Sequence, residues 1–140
     1  MSIRTVLVAV DDSDGAARAV RFVASVAGPL GAHVLAVHAL GLLAEIDHHA
    51  VPAQTHRQEV AAMVETWAAP LAEAGVAYRC LLVDGNPVQA LLAVAEEEGA
   101  DVVVVGKRAA AGVPGLQLGS TSQQLVQHSP IPVVVVPERA

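Results

Sequence analysis

Thr5–Val10, His33–Leu40, Val102–Val105 and Val133–Val136 are apolar at nearly every position, and Val76–Val83 is a fifth, more mixed run. Short runs of this kind predict strands buried on both faces, as in a parallel sheet covered by helices. Between them the spacing lengthens to three and four. Ala16, Val20, Val23 and Ala27 predict a helix, with Arg18, Arg21 and Ser25 on its other side. Asp12, Ser13 and Asp14 suit its start, and Gly28, Pro29 and Gly31 predict its end. From about Thr55, Val60, Met63, Val64, Trp67 and Leu71 mark a second helix face, with Trp67 in the core and Pro70 kinking the last turn. Asn86 is the expected N-cap of a third helix, with Pro87 at its first position and Val88, Leu91, Leu92 and Ala95 facing inward. Glu96, Glu97 and Glu98 end it as solvated charges, and Gly99 stops it. A fourth helix spans about Ser120–His128. The stretch from Gly41 to Ala53 is expected to be a solvated loop.

The resulting order, β-α-β-α-β-α-β-α-β, predicts an α/β fold: an open five-stranded parallel sheet with helices on both faces, Rossmann-like. Neither a linker nor an internal repeat divides it, so residues 1–140 are expected to form a single domain. Ligands of such sheets bind beyond the strand C-termini, where the strand order reverses. The candidates there are Ala9, Val10 and Asp11 from the first strand, Val37 from the second, and Val105 and Gly106 from the fourth.

Composition narrows this picture. Of 140 residues, 54% are hydrophobic but only 2% aromatic, so the core must be built from Val, Leu and Ala. A formal net charge of −6 argues against a nucleic-acid surface driven by overall charge. The single cysteine, Cys80, sits in an apolar run and reads as a buried structural thiol. No window reaches about 18 uninterrupted apolar residues, so no membrane span is expected. The start, MSIRTVLVAVDD, has no signal-peptide pattern, and a cytoplasmic protein is the expectation. His48, His49 and His56 lack metal-ligand spacing and read as loop residues, so no metal site is assigned. No histidine is set beside a plausible serine nucleophile, and no catalytic residue is assigned.

After the fourth strand comes a loop with Lys107, Arg108, Gly112, Gly115 and Gly119, then Ser120, Thr121 and Ser122 where a helix should begin. Unpaired N–H groups and the helix dipole make such a place fit for an anion. A plain Ser/Thr helix cap would use the same residues, and the residues alone leave both readings open.

The motifs VLVAVDDSDGA, DGNPVQALLAVAEEEGADVVVVG and GSTSQQLVQHSPIPVVVVP together resemble the universal stress proteins over essentially the whole chain. The family's nucleotide-binding members carry Gly, two residues, Gly, nine residues, then Gly-Ser or Gly-Thr. Here the frame is Gly106, Lys107–Arg108, Ala109, residues 110–118, then Gly119–Ser120. The spacing is retained, but alanine stands at the second glycine. An alanine forced into the left-handed region costs roughly 1 kcal/mol, about a fivefold loss of affinity if the bound loop needs it.

The resemblance implies an adenine-nucleotide-binding regulatory module of the stress response, taking ATP (or AMP/ADP) with or without Mg²⁺. It implies Asp11 on the ribose or adenine side and the Val37 backbone receiving the adenine. Gly106, Lys107, Arg108 and Ala109, then Gly119, Ser120, Thr121 and Ser122, would hold the phosphates. The alternatives are a dimeric partner-binding protein without a ligand and a slow ATPase. The family's strand order, 3-2-1-4-5, puts Ile131–Val136 at a sheet edge, where a homodimer through that strand is expected.

Overall fold

Backbone hydrogen bonds must be satisfied wherever the chain is buried, and the valine runs do this by pairing with one another. The computed structural model describes residues 2–107 and 120–138. Its strands are β1 (Thr5–Ala9), β2 (His33–Leu40), β3 (Leu43–Ile46), β4 (His49–Pro52), β5 (Tyr78–Asp84), β6 (Val102–Gly106) and β7 (Val133–Val136). Its helices are α1 (Asp14–Leu30), α2 (Arg57–Trp67), α3 (Ala69–Glu73), α4 (Pro87–Glu98) and α5 (Ser120–His128). Five strands form one parallel sheet in the order β5-β2-β1-β6-β7, the expected 3-2-1-4-5.

Because successive side chains of a strand point to opposite faces, one sheet feeds two cores. Val6, Val8, Val34, Ala36, Val102 and Val104 pack under α1, α2 and α3, against Val20, Val23, Val60, Val64 and Leu71. Leu7, Leu35, Val37, Val103 and Val105 pack under α4 and α5, against Leu91, Val94 and Leu125. Trp67 is half-buried against the first of these cores, as its place on the apolar stripe required.

The caps follow side-chain chemistry. Ser13 accepts the Ala16 N–H at 3.1 Å, and Asn86 accepts those of Val88 and Gln89 at 3.0 and 3.3 Å. Gly31 and Gly99 close α1 and α4 in the left-handed region, at φ of 66° and 67°.

Four local expectations are corrected. Helix α1 continues through Gly28 and Pro29 and stops only at Gly31; Pro29 lies in the last turn, where one lost N–H is tolerable. Pro70 does more than kink its helix: the chain breaks at Ala68, and Pro70 sits in the first turn of α3, where its missing N–H costs nothing. Glu98 is not merely solvated but forms an ion pair with Arg79 of β5.

The fourth correction is the largest. The expected loop from Gly41 to Ala53 contains an antiparallel hairpin, β3–β4, paired from Leu43↔Pro52 to Ile46↔His49. Asp47 and His48 turn it with φ of 52° and 65°. Two positive-φ residues in a two-residue loop match the right-handed twist of the strands they join. Ala53 N–H bonds Leu42 C=O at the hairpin's base, and Ala53 itself is fully buried. Among the described residues, no helix is long and apolar enough to cross a membrane.

Candidate functional site

From β1 the chain moves outward to β2 and β5, then returns to β6 and β7 on β1's other side. The connections leaving β1 and β6 therefore diverge, and a crevice opens between their C-terminal ends. A cavity of about 390 Å³ occupies that place. Ala9, Val10, Val105 and Gly106 form its floor; Asp11, Asp12, Ser13 and Ala16 come from the entry to α1. Val37, His38 and Ala39 wall one side, Pro87 and Leu91 belong to α4, and Ser120, Thr121 and Ser122 open α5.

Nine of the residues expected at the site thus converge: Ala9, Val10, Asp11, Val37, Val105, Gly106, Ser120, Thr121 and Ser122. Lys107 is not among the lining residues. Its N–H donates to Val136 C=O at 2.8 Å and its C=O accepts from Arg18 Nη2 at 3.4 Å. Arg108, Ala109 and Gly119 lie outside the described residues.

Local chemistry explains the geometry. Gly106 touches α1 so closely that a Cβ there would lie 2.0 Å from the Gly15 carbonyl oxygen. Two glycines in contact bring the start of α1 onto the end of β6 and set the depth of the crevice. Ser122 is buried, and its hydroxyl donates to Gly106 C=O at 3.1 Å, tying α5 to the same point. With its proton so engaged, the Ser122 hydroxyl can offer a ligand only a lone pair. Asp11 turns the chain by accepting the Ser13 N–H at 2.8 Å, which brings the cap of α1 beside the cleft.

The Val37 carbonyl accepts the Val10 N–H at 2.9 Å, so one of its lone pairs belongs to the sheet. The register between β1 and β2 ends at Ala9↔Val37. Ala39, two residues on and turned toward the same neighbour, extends past β1 into the cleft wall. His38 Nδ1 lies 2.7 Å from Val10 C=O, and its ring meets Trp67 edge-on with centroids 5.2 Å apart at 62°.

Asp12, Ser13, Ala16, His38, Ala39, Pro87 and Leu91 were not anticipated at the site. Topology held the signal for most of them: every helix of a parallel sheet starts at the strands' C-terminal edge, so the first turns of α1 and α4 had to be near. Cys80 lies away from the cleft and is only partly buried, less than its apolar run suggested. Burial, then the Glu65 carboxylate beside it, pushes its thiol up to about 12, which keeps it protonated and unreactive at neutral pH.

Comparisons with known proteins agree with this architecture. The profile of the universal stress protein family matches residues 2–137. A universal stress protein of Thermus aquaticus, named for its place in the QAH/OAS sulfhydrylase 3′ region, is 34% identical over 134 residues, covering 95% of this chain and 98% of that protein. A solved universal stress protein in complex with cAMP superposes with a TM-score of 0.73 at 27% identity, covering 97% and 98% of the two chains. The structure of MJ0577, at 19% identity, shares the fold with a TM-score of 0.77 over 100% and 99% of the chains.

Proposed function

This chain belongs to the universal stress protein family, and from that premise we propose that it binds an adenine nucleotide in the cleft between β1 and β6. The observation that carries the reading is the cleft itself. Strand ends, a capped helix start and the Ser120–Ser122 helix start converge on about 390 Å³ of space, within the roughly 300–1,000 Å³ of small-molecule sites. The cAMP complex of a relative at 27% identity supports the same ligand class.

In this reading the base lies against Val37 and Ala39, with Leu91 beneath it and the Ala39 backbone offering its polar edge. Asp11 accepts from the ribose hydroxyls. The first N–H groups of α5, with the hydroxyls of Ser120 and Thr121, receive the phosphate at the positive end of the helix dipole. ATP, with or without Mg²⁺, requires the chain after Lys107 to accommodate two further phosphates. The protein acts as a regulatory module, its ligand state altering shape or partner, and works as a homodimer joined through Ile131–Val136.

Isothermal calorimetry with AMP, cAMP, ATP and ATP–Mg²⁺, and GMP as control, tests the ligand. Adenine nucleotides should bind at micromolar to millimolar concentration, more tightly than GMP, and Asp11→Ala should weaken them about tenfold. No heat and no thermal shift with any of them at millimolar concentration overturns the reading in favour of a partner-binding protein without a nucleotide.

A further inference from the structure

A parallel ladder advances by alternation: once Val10 N–H has bonded Val37 C=O, the next bond in line is Ala39 N–H to Val10 C=O. The first is present at 2.9 Å. The second position is taken by a side chain, with His38 Nδ1 at 2.7 Å from the Val10 carbonyl oxygen. A carbonyl can only accept, so Nδ1 carries the proton. Trp67 meets the ring edge-on, which holds its plane while Nδ1 points at β1.

We propose that His38 is a positioning residue of the cleft. By donating its ring N–H to Val10 C=O it stands in for the Ala39 N–H, leaves that backbone donor to the ligand, and pins the Val10–Asp11 peptide. Val10, Asp11, His38 and Ala39 all line the cavity, so one hydrogen bond governs both the strand edge and the carboxylate expected to read the nucleoside. The part of this inference that concerns ligand affinity rests on the nucleotide-binding reading; the part that concerns the ladder does not.

Two substitutions separate the donor from the ring. In His38→Asn the amide nitrogen can occupy the place of Nδ1; in His38→Leu the volume is similar but no donor remains. Amide hydrogen exchange by NMR, without ligand, should find the Ala39 N–H equally fast in wild type and His38→Asn. In His38→Leu it should slow at least tenfold as that N–H closes onto Val10 C=O. Calorimetry with AMP should give His38→Asn within about threefold of wild type and His38→Leu about tenfold weaker. Unchanged Ala39 exchange in His38→Leu, or an asparagine variant no better than the leucine one, overturns the proposal. Should His38→Leu fail to fold, the imidazole ¹⁵N signature of neutral wild-type His38 decides: an Nε2–H tautomer overturns it and Nδ1–H supports it. If wild type binds no nucleotide, the function reading fails alone, and the exchange and tautomer measurements still judge the hydrogen bond.

Discussion

Gly106 and Gly15 define the finest scale at which this molecule is built. A methyl group on Gly106 would meet the Gly15 carbonyl oxygen at 2.0 Å, the carbonyl carbon at 2.2 Å and Cα at 2.8 Å. Backbone on a helix cannot swing aside as a flexible side chain can, so α1 would have to lift from β6. Gly106→Ala should therefore lose about 3 kcal/mol in urea unfolding, the upper part of the range for overpacking. Gly15→Ala is the informative contrast. Its Cβ would lie 3.1 Å from Lys107 C=O, a tight contact offset by the roughly 1 kcal/mol that alanine gains over glycine in a helix. That variant should melt near wild type; equal losses in both would mean that the contact does not set the helix position. Gly106 thus has a packing role before any ligand arrives.

At the scale of elements, the start of β1 is held to the start of β6 by one carboxylate. Asp101 accepts the N–H groups of Arg4 and Thr5 at 2.8 and 3.0 Å, and its own N–H donates to Thr5 C=O at 2.8 Å. The Arg4 N–H, then the Thr5 N–H, hold the carboxyl below its ordinary range. A carboxylate depressed in the folded state stabilises it above the unfolded pKa, near 3.9, and loses that contribution as pH falls through the folded value. Between the unfolded pKa and the lower folded value the unfolded chain binds more protons than the folded one, and stability falls as pH falls through that window. Asp101→Asn should accordingly flatten the fall in thermal midpoint as pH drops below about 4, measured beside wild type at constant ionic strength. Parallel curves would show that the two amide contacts do not favour the charged form.

On the scale of the whole molecule, the sheet has two edges, β5 and β7. Val103 N–H bonds Pro132 C=O at 3.0 Å and Lys107 N–H bonds Val136 C=O at 2.8 Å. Alternation then turns the backbone of Val134 toward β6 and that of Val133 and Val135 outward. Among the described residues no strand pairs with that outer edge; an outward row of donors and acceptors on an uncharged strand invites pairing, and a two-fold axis satisfies both copies at once. Val135→Pro removes an outward donor and leaves the bonds to β6 in place, so it should yield a folded monomer. Val134→Pro breaks the ladder and should destabilise the fold itself. Light scattering at micromolar concentration with circular dichroism checks both; a wild-type monomer, or a Val135→Pro dimer, overturns the proposed assembly.

The five principal strands were legible because each pairs apolar side chains on both faces with a nearby Gly, Pro or Asx boundary. Asn86–Pro87 and Gly99 marked α4 for the same local reason: caps are chosen by the chain's own dihedrals. Nine cleft residues were legible because strand ends and helix starts converge in any parallel sheet of this order, and that order came from the family resemblance. What no local pattern carried was decided in three dimensions. The β3–β4 hairpin depends on a left-handed Asp47–His48 turn and on Ala53 being buried beneath it, neither of which polarity along the chain reveals. The Gly15–Gly106 contact and the Ser122 hydroxyl on Gly106 join residues 91 and 16 positions apart in sequence. The bond from His38 to Val10 spans 28 positions and replaces a backbone donor with a ring. Periodicity says which face a residue occupies; only the packed sheet says which atom across the crevice it will meet.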